Sequence, residues 1–237
     1  MYYICNNDAK YFFGIIMKKK IILYTGFFIL LFSAFFFFLF YGTDYYKVKL
    51  PVVSYVQPFS FTDQNGKILN EHTIDGKVYV ANYFFTTCKG ICPKMNGNLD
   101  SIFHQFENDS DFVIISHTSM PETDSVPMLK AYEEKMIGHD PQFAAKWFFV
   151  TGSKESLYKM AKGYLLDNTK NDSLDIKERF IHTQFLALVD KDRKVRGIYD
   201  GLKEDELGQL SKDISGLLKE SRDANMFNHS TFSNNPE

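Results

Sequence analysis

The stretch Val78-Tyr79-Val80-Ala81-Asn82-Tyr83-Phe84-Phe85 runs directly into Thr86-Thr87-Cys88-Lys89-Gly90-Ile91-Cys92-Pro93-Lys94-Met95. The first part is a nearly continuous apolar run, the pattern of a strand buried on both faces. Pro93 sits where a proline is tolerated, in the opening turn of a helix. Met95, Leu99, Ile102, Phe103 and Phe106 then recur at helical spacing, with Gly97 a small local cost. A strand, a short loop with two thiols and a helix therefore form one unit.

The same alternation continues downstream. Phe112–Ser116 reads as a second buried strand. Asp124 and Ser125 are expected to cap a helix running to about Met136, with Leu129, Tyr132 and Met136 on one face. Trp147–Val150 reads as a third strand, and Thr151-Gly152-Ser153 opens a helix carrying Leu157, Met160, Ala161 and Tyr164. Residues 165–179 are polar and irregular, an expected exposed loop. Phe185–Val189 and Val195–Tyr199 are expected to pair as a hairpin about Asp190-Lys191-Asp192. A last helix spans roughly Lys203–Glu220, with Leu207, Leu210, Ile214, Leu217 and Leu218 inward. Upstream, Phe59 and Phe61 alternate with polar residues, and Asn65-Gly66 precedes Lys67-Ile68-Leu69, a hairpin signal. Alternating strands and helices imply a mostly parallel sheet covered on both faces. The fold expected is α/β and thioredoxin-like, with an N-terminal β-hairpin extension and a closing hairpin that adds an antiparallel edge.

Before all of this lies IILYTGFFILLFSAFFFFLFY, residues 21–41, without a charge. It is long enough to cross a hydrocarbon core of roughly 30 Å as a helix. Lys18-Lys19-Lys20 precede it, which by the positive-inside rule leaves the N-terminus in the cytoplasm and the rest outside. The run is long for a signal-peptide core, and no small-x-small cleavage site follows it. The organisation expected is a cytoplasmic segment 1–20, a transmembrane anchor 21–41, a linker 42–56, the folded domain 57–220 and a disordered tail 221–237. Met17 is an alternative start, which would leave Cys5 outside the mature chain. An outward-facing anchor without an Arg-rich leader fits a bacterial inner membrane with the domain in the periplasm. The net charge of −2 over 237 residues offers nucleic acid no electrostatic footprint.

Three cysteines are present: Cys5, Cys88 and Cys92. A loop as short as the one between Cys88 and Cys92 makes a poor structural cross-link, so redox or metal chemistry is the better starting point. A helix N-terminus aimed at the loop favours thiolate over thiol, and both cysteines are expected to be more acidic than an ordinary thiol. Disulfide oxidoreductases of this fold carry two residues between their cysteines, whereas here there are three. Two thiolates suit a soft ion such as Cu(I), and zinc would require two further ligands that are not visible nearby. A plain disulfide or two inert thiols remain the simpler alternatives. A third ligand would come from elsewhere: His182, just before the strand beginning near Gln184, and His117, at the end of the strand next to the cysteine strand, both stand out. His104 and His229 read as surface residues.

Phe85-Thr86-Thr87-Cys88-Lys89-Gly90-Ile91-Cys92-Pro93 resembles the Sco/SenC pattern. The resemblance continues through Met120-Pro121-Glu122-Thr123-Asp124, Leu129-Lys130-Ala131-Tyr132, Trp147-Phe148-Phe149-Val150-Thr151-Gly152, His182-Thr183 and Gly197, over about residues 55–220. It implies a membrane-anchored, copper-binding protein of thioredoxin-like fold that serves assembly of the copper centre of cytochrome c oxidase. The metal ligands it implies are Cys88, Cys92 and His182, holding copper as Cu(I) or Cu(II). Its partners would be the oxidase subunit that receives the copper and a protein that donates it. Two positions depart from the pattern: Met120 stands where an aspartate is usual, and Ile181 where an acid often precedes the histidine. Both bear on how the ligands are oriented. The leading expectation is a copper metallochaperone, a carrier rather than an enzyme. The alternative is a thiol–disulfide oxidoreductase that reduces cysteines of an oxidase subunit or of another protein outside the cytoplasm, with Cys88 and Cys92 as its redox pair.

Overall fold

The computed structural model describes residues 5–40, 50–137, 146–167 and 183–220, with side chains from residue 18 in the first of these segments and up to residue 38. The chain separates into two units, Met1–Lys49 and Leu50–Glu237. Most of the loop expected at 165–179, the tail from residue 221, His139, His182 and His229 lie outside the described residues.

The first unit is the single helix α1, Cys5–Phe40. Lys18–Phe38 are exposed on every side, with Phe27, Phe35, Leu30 and Ile22 among the bare apolar side chains. That stretch is long and apolar enough to span a membrane. Within it the Thr25 hydroxyl donates back to the Ile21 carbonyl at 2.8 Å, so it adds no unsatisfied donor to an apolar face.

The second unit is built on one eight-stranded sheet in the order β1-β8-β7-β4-β5-β6-β2-β3. The central strand is β4, Val78–Phe84, and all seven of its residues are buried. It runs parallel to β5, Phe112–Thr118, which runs parallel to β6, Trp147–Thr151. Helices α2 (Ile91–Gln105) and α3 (Val126–Ile137) make those two crossovers. Next comes α4, Lys154–Gly163, whose first turn is closed by Ser156 N–H donating to the Ser153 hydroxyl. The last helix is α5, Glu204–Lys219, with three acids in its first turn, where they complement the helix dipole.

Both hairpins form, and each takes a particular place. β2 (Ser60–Asp63) and β3 (Ile68–Asn70) pair at one end of the sheet, against β6. Their turn needs Gly66 at φ 74°, and the Asp63 carboxylate accepts from the backbone of Asn65 and Lys67. The closing hairpin, β7 (Phe185–Val189) and β8 (Lys194–Asp200), adds the expected antiparallel strands on one side of the parallel ones. β7 lies directly against β4, antiparallel, and β1 (Ser54–Tyr55) covers the outside of β8. Without β7, β4 would be an edge strand with seven buried residues open to pairing. A bulge at Leu188/Val189 accommodates Arg196, whose guanidinium is buried. It donates to Asp190 at 2.7 Å and to the Leu50 carbonyl, so the charge is partnered where it is buried.

Because side chains alternate along a strand, the sheet has two distinct apolar layers. Val78, Val80 and Phe84 face one layer, with Met95, Leu99, Ile102 and Phe103 of α2, Leu129 of α3 and Leu210, Ile214 and Leu217 of α5. Tyr79, Ala81 and Tyr83 face the other, with Phe61 and with Leu157, Met160, Ala161 and Tyr164. Full burial of each such side chain contributes about 1.5–3 kcal/mol. The cysteines belong to the first layer.

Candidate metal centre

The loop from Phe85 to Gly90 leaves the carboxyl end of β4, at the rim where ligands meet parallel sheets. Its first turn is closed by Cys88 N–H donating to the Phe85 carbonyl at 3.1 Å. Asp124 holds it from the side. The buried carboxylate accepts from Thr86 N–H at 3.2 Å, from the Thr86 hydroxyl at 2.6 Å and from the Thr118 hydroxyl at 2.5 Å. Thr86 stands two residues before Cys88, and Thr118 is the last residue of β5. Asp124 therefore ties the cysteine loop to the neighbouring strand instead of capping α3 as expected. The turn that presents it is made by Met120, whose carbonyl accepts from Thr123 and Asp124 N–H.

Cys88 and Cys92 are both free thiols; Cys88 is half-buried and Cys92 is only 3% exposed. Cys92 lies in the first turn of α2, packed in the layer that holds Phe84, Met95 and Leu99. Burial, then the adjacent Cys88 thiol, push the Cys92 thiol up to about 12. This overturns the expectation that Cys92 is acidic. Loss of water around the sulfur outweighs the helix start, and a second thiol beside it further disfavours the charge.

His117 does not join the pair. It is at the carboxyl end of β5, as expected, but it faces the other layer. Its ring stacks on Tyr83 at 5.0 Å and meets Phe61 and Tyr164 edge-on, both at 5.4 Å. It is wholly buried, and neither ring nitrogen has a hydrogen-bond partner among the described residues. Burial holds its pKa down at about 3. The alternation of β5 decides this: Ser116 and Thr118 point toward the cysteine layer, and His117 between them points away. His104 is a surface residue as expected. His182 lies outside the described residues, although the chain is described from Thr183. Among the described residues no group of three His, Cys, Asp or Glu side chains converges on one point.

Sequence reasoning passed over the polar groups beneath the loop. Asn82 and Ser116 stand opposite each other on β4 and β5, both fully buried. Trp147 Nε1–H donates to Ser116 Oγ at 2.9 Å, and Ser116 donates to Asn82 Oδ1 at 2.6 Å. Asn82 Nδ2 donates to Asn96 Oδ1 at 3.1 Å, and Asn96 Nδ2 donates to the Tyr132 hydroxyl at 2.8 Å. Asn96 is one helical turn beyond Cys92, so this chain of bonds seats the cysteine-bearing end of α2 on the sheet. The available signal was two polar residues inside strands that are otherwise apolar.

An α/β sheet with a pair of thiols at its carboxyl rim, one on the loop and one in the first turn of the following helix, is a thioredoxin-like arrangement, here extended by an N-terminal hairpin. Residues 49–219 match the SCO1/SenC family, and the chain belongs to it. A SCO1 protein homolog of Bacillus subtilis (strain 168) is 29% identical over 171 residues, 71% of this chain and 85% of that protein. A protein of Stutzerimonas stutzeri named "Putative copper-binding protein" is 26% identical over 168 residues, 70% of this chain and 79% of its own. The solved structure of BsSco, a member of the Sco family of cytochrome c oxidase assembly proteins in which a disulfide switch was identified, is 26% identical. It superposes with a TM-score of 0.61, covering 74% of this chain and 99% of that one.

Proposed function

We propose that this protein is a membrane-anchored copper carrier that delivers or prepares copper for the copper centre of cytochrome c oxidase, with Cys88, Cys92 and His182 as ligands. The observation that carries the reading is the unbridged pair Cys88 and Cys92 at the rim of β4, in a chain of the SCO1/SenC family. The donor chemistry fits: two sulfurs suit Cu(I), and an imidazole accommodates Cu(II) as well. The copper-binding name of the Stutzerimonas relative and the oxidase-assembly role of BsSco support the same reading.

His182 is supported by where its neighbours lie. β7 runs antiparallel to β4, so Phe185 enters the sheet at the rim where β4 ends. Gly201 N–H donates to the Gln184 carbonyl, and Gly201 sits against Met95 of α2. A ligand on a segment remote in sequence from the thiols suits a carrier that must let its metal go. The apolar α1 would place the working domain on the outer side of a bacterial inner membrane, with residues 1–20 inside. Its exposure on every side supports an anchor over a core helix.

Copper titration of the reduced full chain in detergent tests the reading. One tightly held copper per chain and a Cu(II)–thiolate charge-transfer band are expected. Cys88→Ser or Cys92→Ser abolishes binding, and His182→Ala weakens Cu(II) more than Cu(I). Parent-like copper binding by His182→Ala would remove that ligand.

A second reading has its own observation. The half-buried Cys88 is open to attack a disulfide, and the buried Cys92 behind it can resolve the mixed disulfide. The target would leave with two thiols, and Cys88 and Cys92 would be left as a disulfide. A dithiol that reduces a protein disulfide rapidly in a chain that holds no copper would favour this reading.

A further inference from the structure

Exposed apolar side chains are unevenly spread over the folded unit. Ile68 on β3, Met128 on α3, Leu165 beyond α4 and Phe185 on β7 stand singly in the chain, which is ordinary for a protein surface. Val52, Val53 and Tyr55 instead fall within four consecutive positions, 44%, 46% and 54% exposed, with Pro51 exposed beside them. That run also forms one end of the sheet: β1 is the terminal strand, with β8 on one side and no strand on the other among the described residues. An apolar edge open to solvent calls for a cover.

The chain is fixed to the fold where this run begins. Arg196 donates to the Leu50 carbonyl from Nε at 3.0 Å and from Nη2 at 2.7 Å, while its Nη1 donates to Asp190. Val53 and Val56 N–H donate to the Val195 and Arg193 carbonyls, both at 2.9 Å. Only residues 41–49 join Leu50 to Phe40, the last residue of α1. Ten Cα steps reach about 36 Å when fully extended. A domain of this size is roughly 40 Å across, so the tether is shorter than the body it holds. Tyr41, Tyr45 and Tyr46 within it are of the type that settles at a membrane–water boundary, and Lys47 and Lys49 suit headgroup phosphates.

We infer that the β1 edge, with Val52, Val53 and Tyr55, is a lipid-docking surface that rests on the face of the membrane in which α1 is held. Docking depends on the reading of α1 as an anchor and adds a second, reversible contact to it. The apolar side chains enter the boundary between headgroups and acyl chains. The open backbone of the edge stays at headgroup level, where water and phosphate can bond it. Tyr55 suits that depth, with an apolar ring and a polar hydroxyl. Three half-exposed side chains would hold a free protein to lipid poorly. A short tether keeps them in the millimolar range of effective concentration, so weak contacts suffice.

The test uses the full chain in nanodiscs of phosphatidylethanolamine and phosphatidylglycerol. The photoreactive residue p-benzoylphenylalanine is placed at position 53, at position 55 or, for comparison, at position 68, an equally bare apolar site on the strand at the other end of the sheet. After illumination, adducts are identified by mass spectrometry. Phospholipid adducts at 53 and 55 are expected at about ten times the yield at 68. Equal yields at the three positions overturn the inference. A cross-link from 53 and 55 to residues 41–49 in place of lipid gives the edge to the chain's own linker and overturns it too, as does a cross-link to a second copy. Both positions are about half exposed, so the larger ring has room, and either one decides the question if the other variant fails to fold. Alkaline carbonate extraction of the parent from liposomes separates the two ideas. A parent released into the soluble fraction overturns the anchor and the docking together. A parent retained in the membrane, with no excess of lipid adducts at 53 and 55, overturns the docking alone.

Discussion

The two faces of the central sheet treat buried polar groups in opposite ways. On the cysteine face, Asn82 and Ser116 sit side by side in the central strands, and each of their polar side-chain atoms has a partner within a chain from Trp147 to Tyr132. On the other face, His117, one position beyond Ser116, is as deeply buried and has neither nitrogen bonded among the described residues. Its ring packs against those of Tyr83, Phe61 and Tyr164. A fully satisfied network stiffens the structure around it and fixes one arrangement. An isolated imidazole adds bulk and ring contacts and leaves a polar cost unanswered. The face that carries the two cysteines is the one with the network.

The difference can be broken most severely from the network side. Asn82→Ala strands Ser116 and Asn96 in the interior and is expected to cost about 3 kcal/mol, from two buried groups left unpaired. Urea unfolding followed by fluorescence reads this directly, since Trp147 is the only tryptophan and belongs to the chain of bonds. A loss under 1 kcal/mol would mean that the network contributes little.

The histidine face supplies the next largest effect, through pH. The pKa of His117 is lowered from 6.5 to about 3 by burial. The unfolded chain therefore takes up a proton below pH 6.5 that the folded chain refuses. The stabilisation is whole above pH 6.5 and is lost as pH falls toward 3. Between pH 7 and pH 5 the loss is about 2 kcal/mol. His117→Phe is expected to remove this slope, and an identical acid profile in that variant would show that other groups carry it.

A smaller effect belongs to the loop. Asp124→Asn keeps the size but puts an NH2 group where an oxygen accepted bonds from Thr86 or Thr118. About 1–2 kcal/mol is expected to be lost. Proteolysis at the loop around Thr87 is expected to quicken, which a cap at the start of α3 would not predict. The smallest effect is His117→Phe at neutral pH. With no hydrogen bond to lose among the described residues, it is expected to change stability by less than about 1 kcal/mol, against about 3 for Asn82→Ala.

Much of the fold was legible. The apolar run of β4, the helical spacing after Pro93 and the two turn signals announced elements that the structure bears out, because short-range pattern and burial agree there. The thiol pair was legible for a similar reason: both members lie on one short segment. What was misread depended on contacts across the chain. Asp124 looked like a cap because its three partners, Thr86 N–H and two hydroxyls, are 6 and 38 residues away. Cys92 looked acidic because a helix N-terminus is visible in sequence and the depth of its burial is not.

By itself the sequence determined that an apolar helix precedes an α/β domain and that two thiols stand at a strand-to-helix loop. Periodicity, turn chemistry and covalent spacing are local, and they survive without the fold. Only the tertiary structure decided that His117 turns its back on those thiols, that Cys92 is too buried to ionise freely, and that Trp147 and Tyr132 are joined beneath them. Facing, desolvation and hydrogen-bond direction exist only once distant segments have packed against one another.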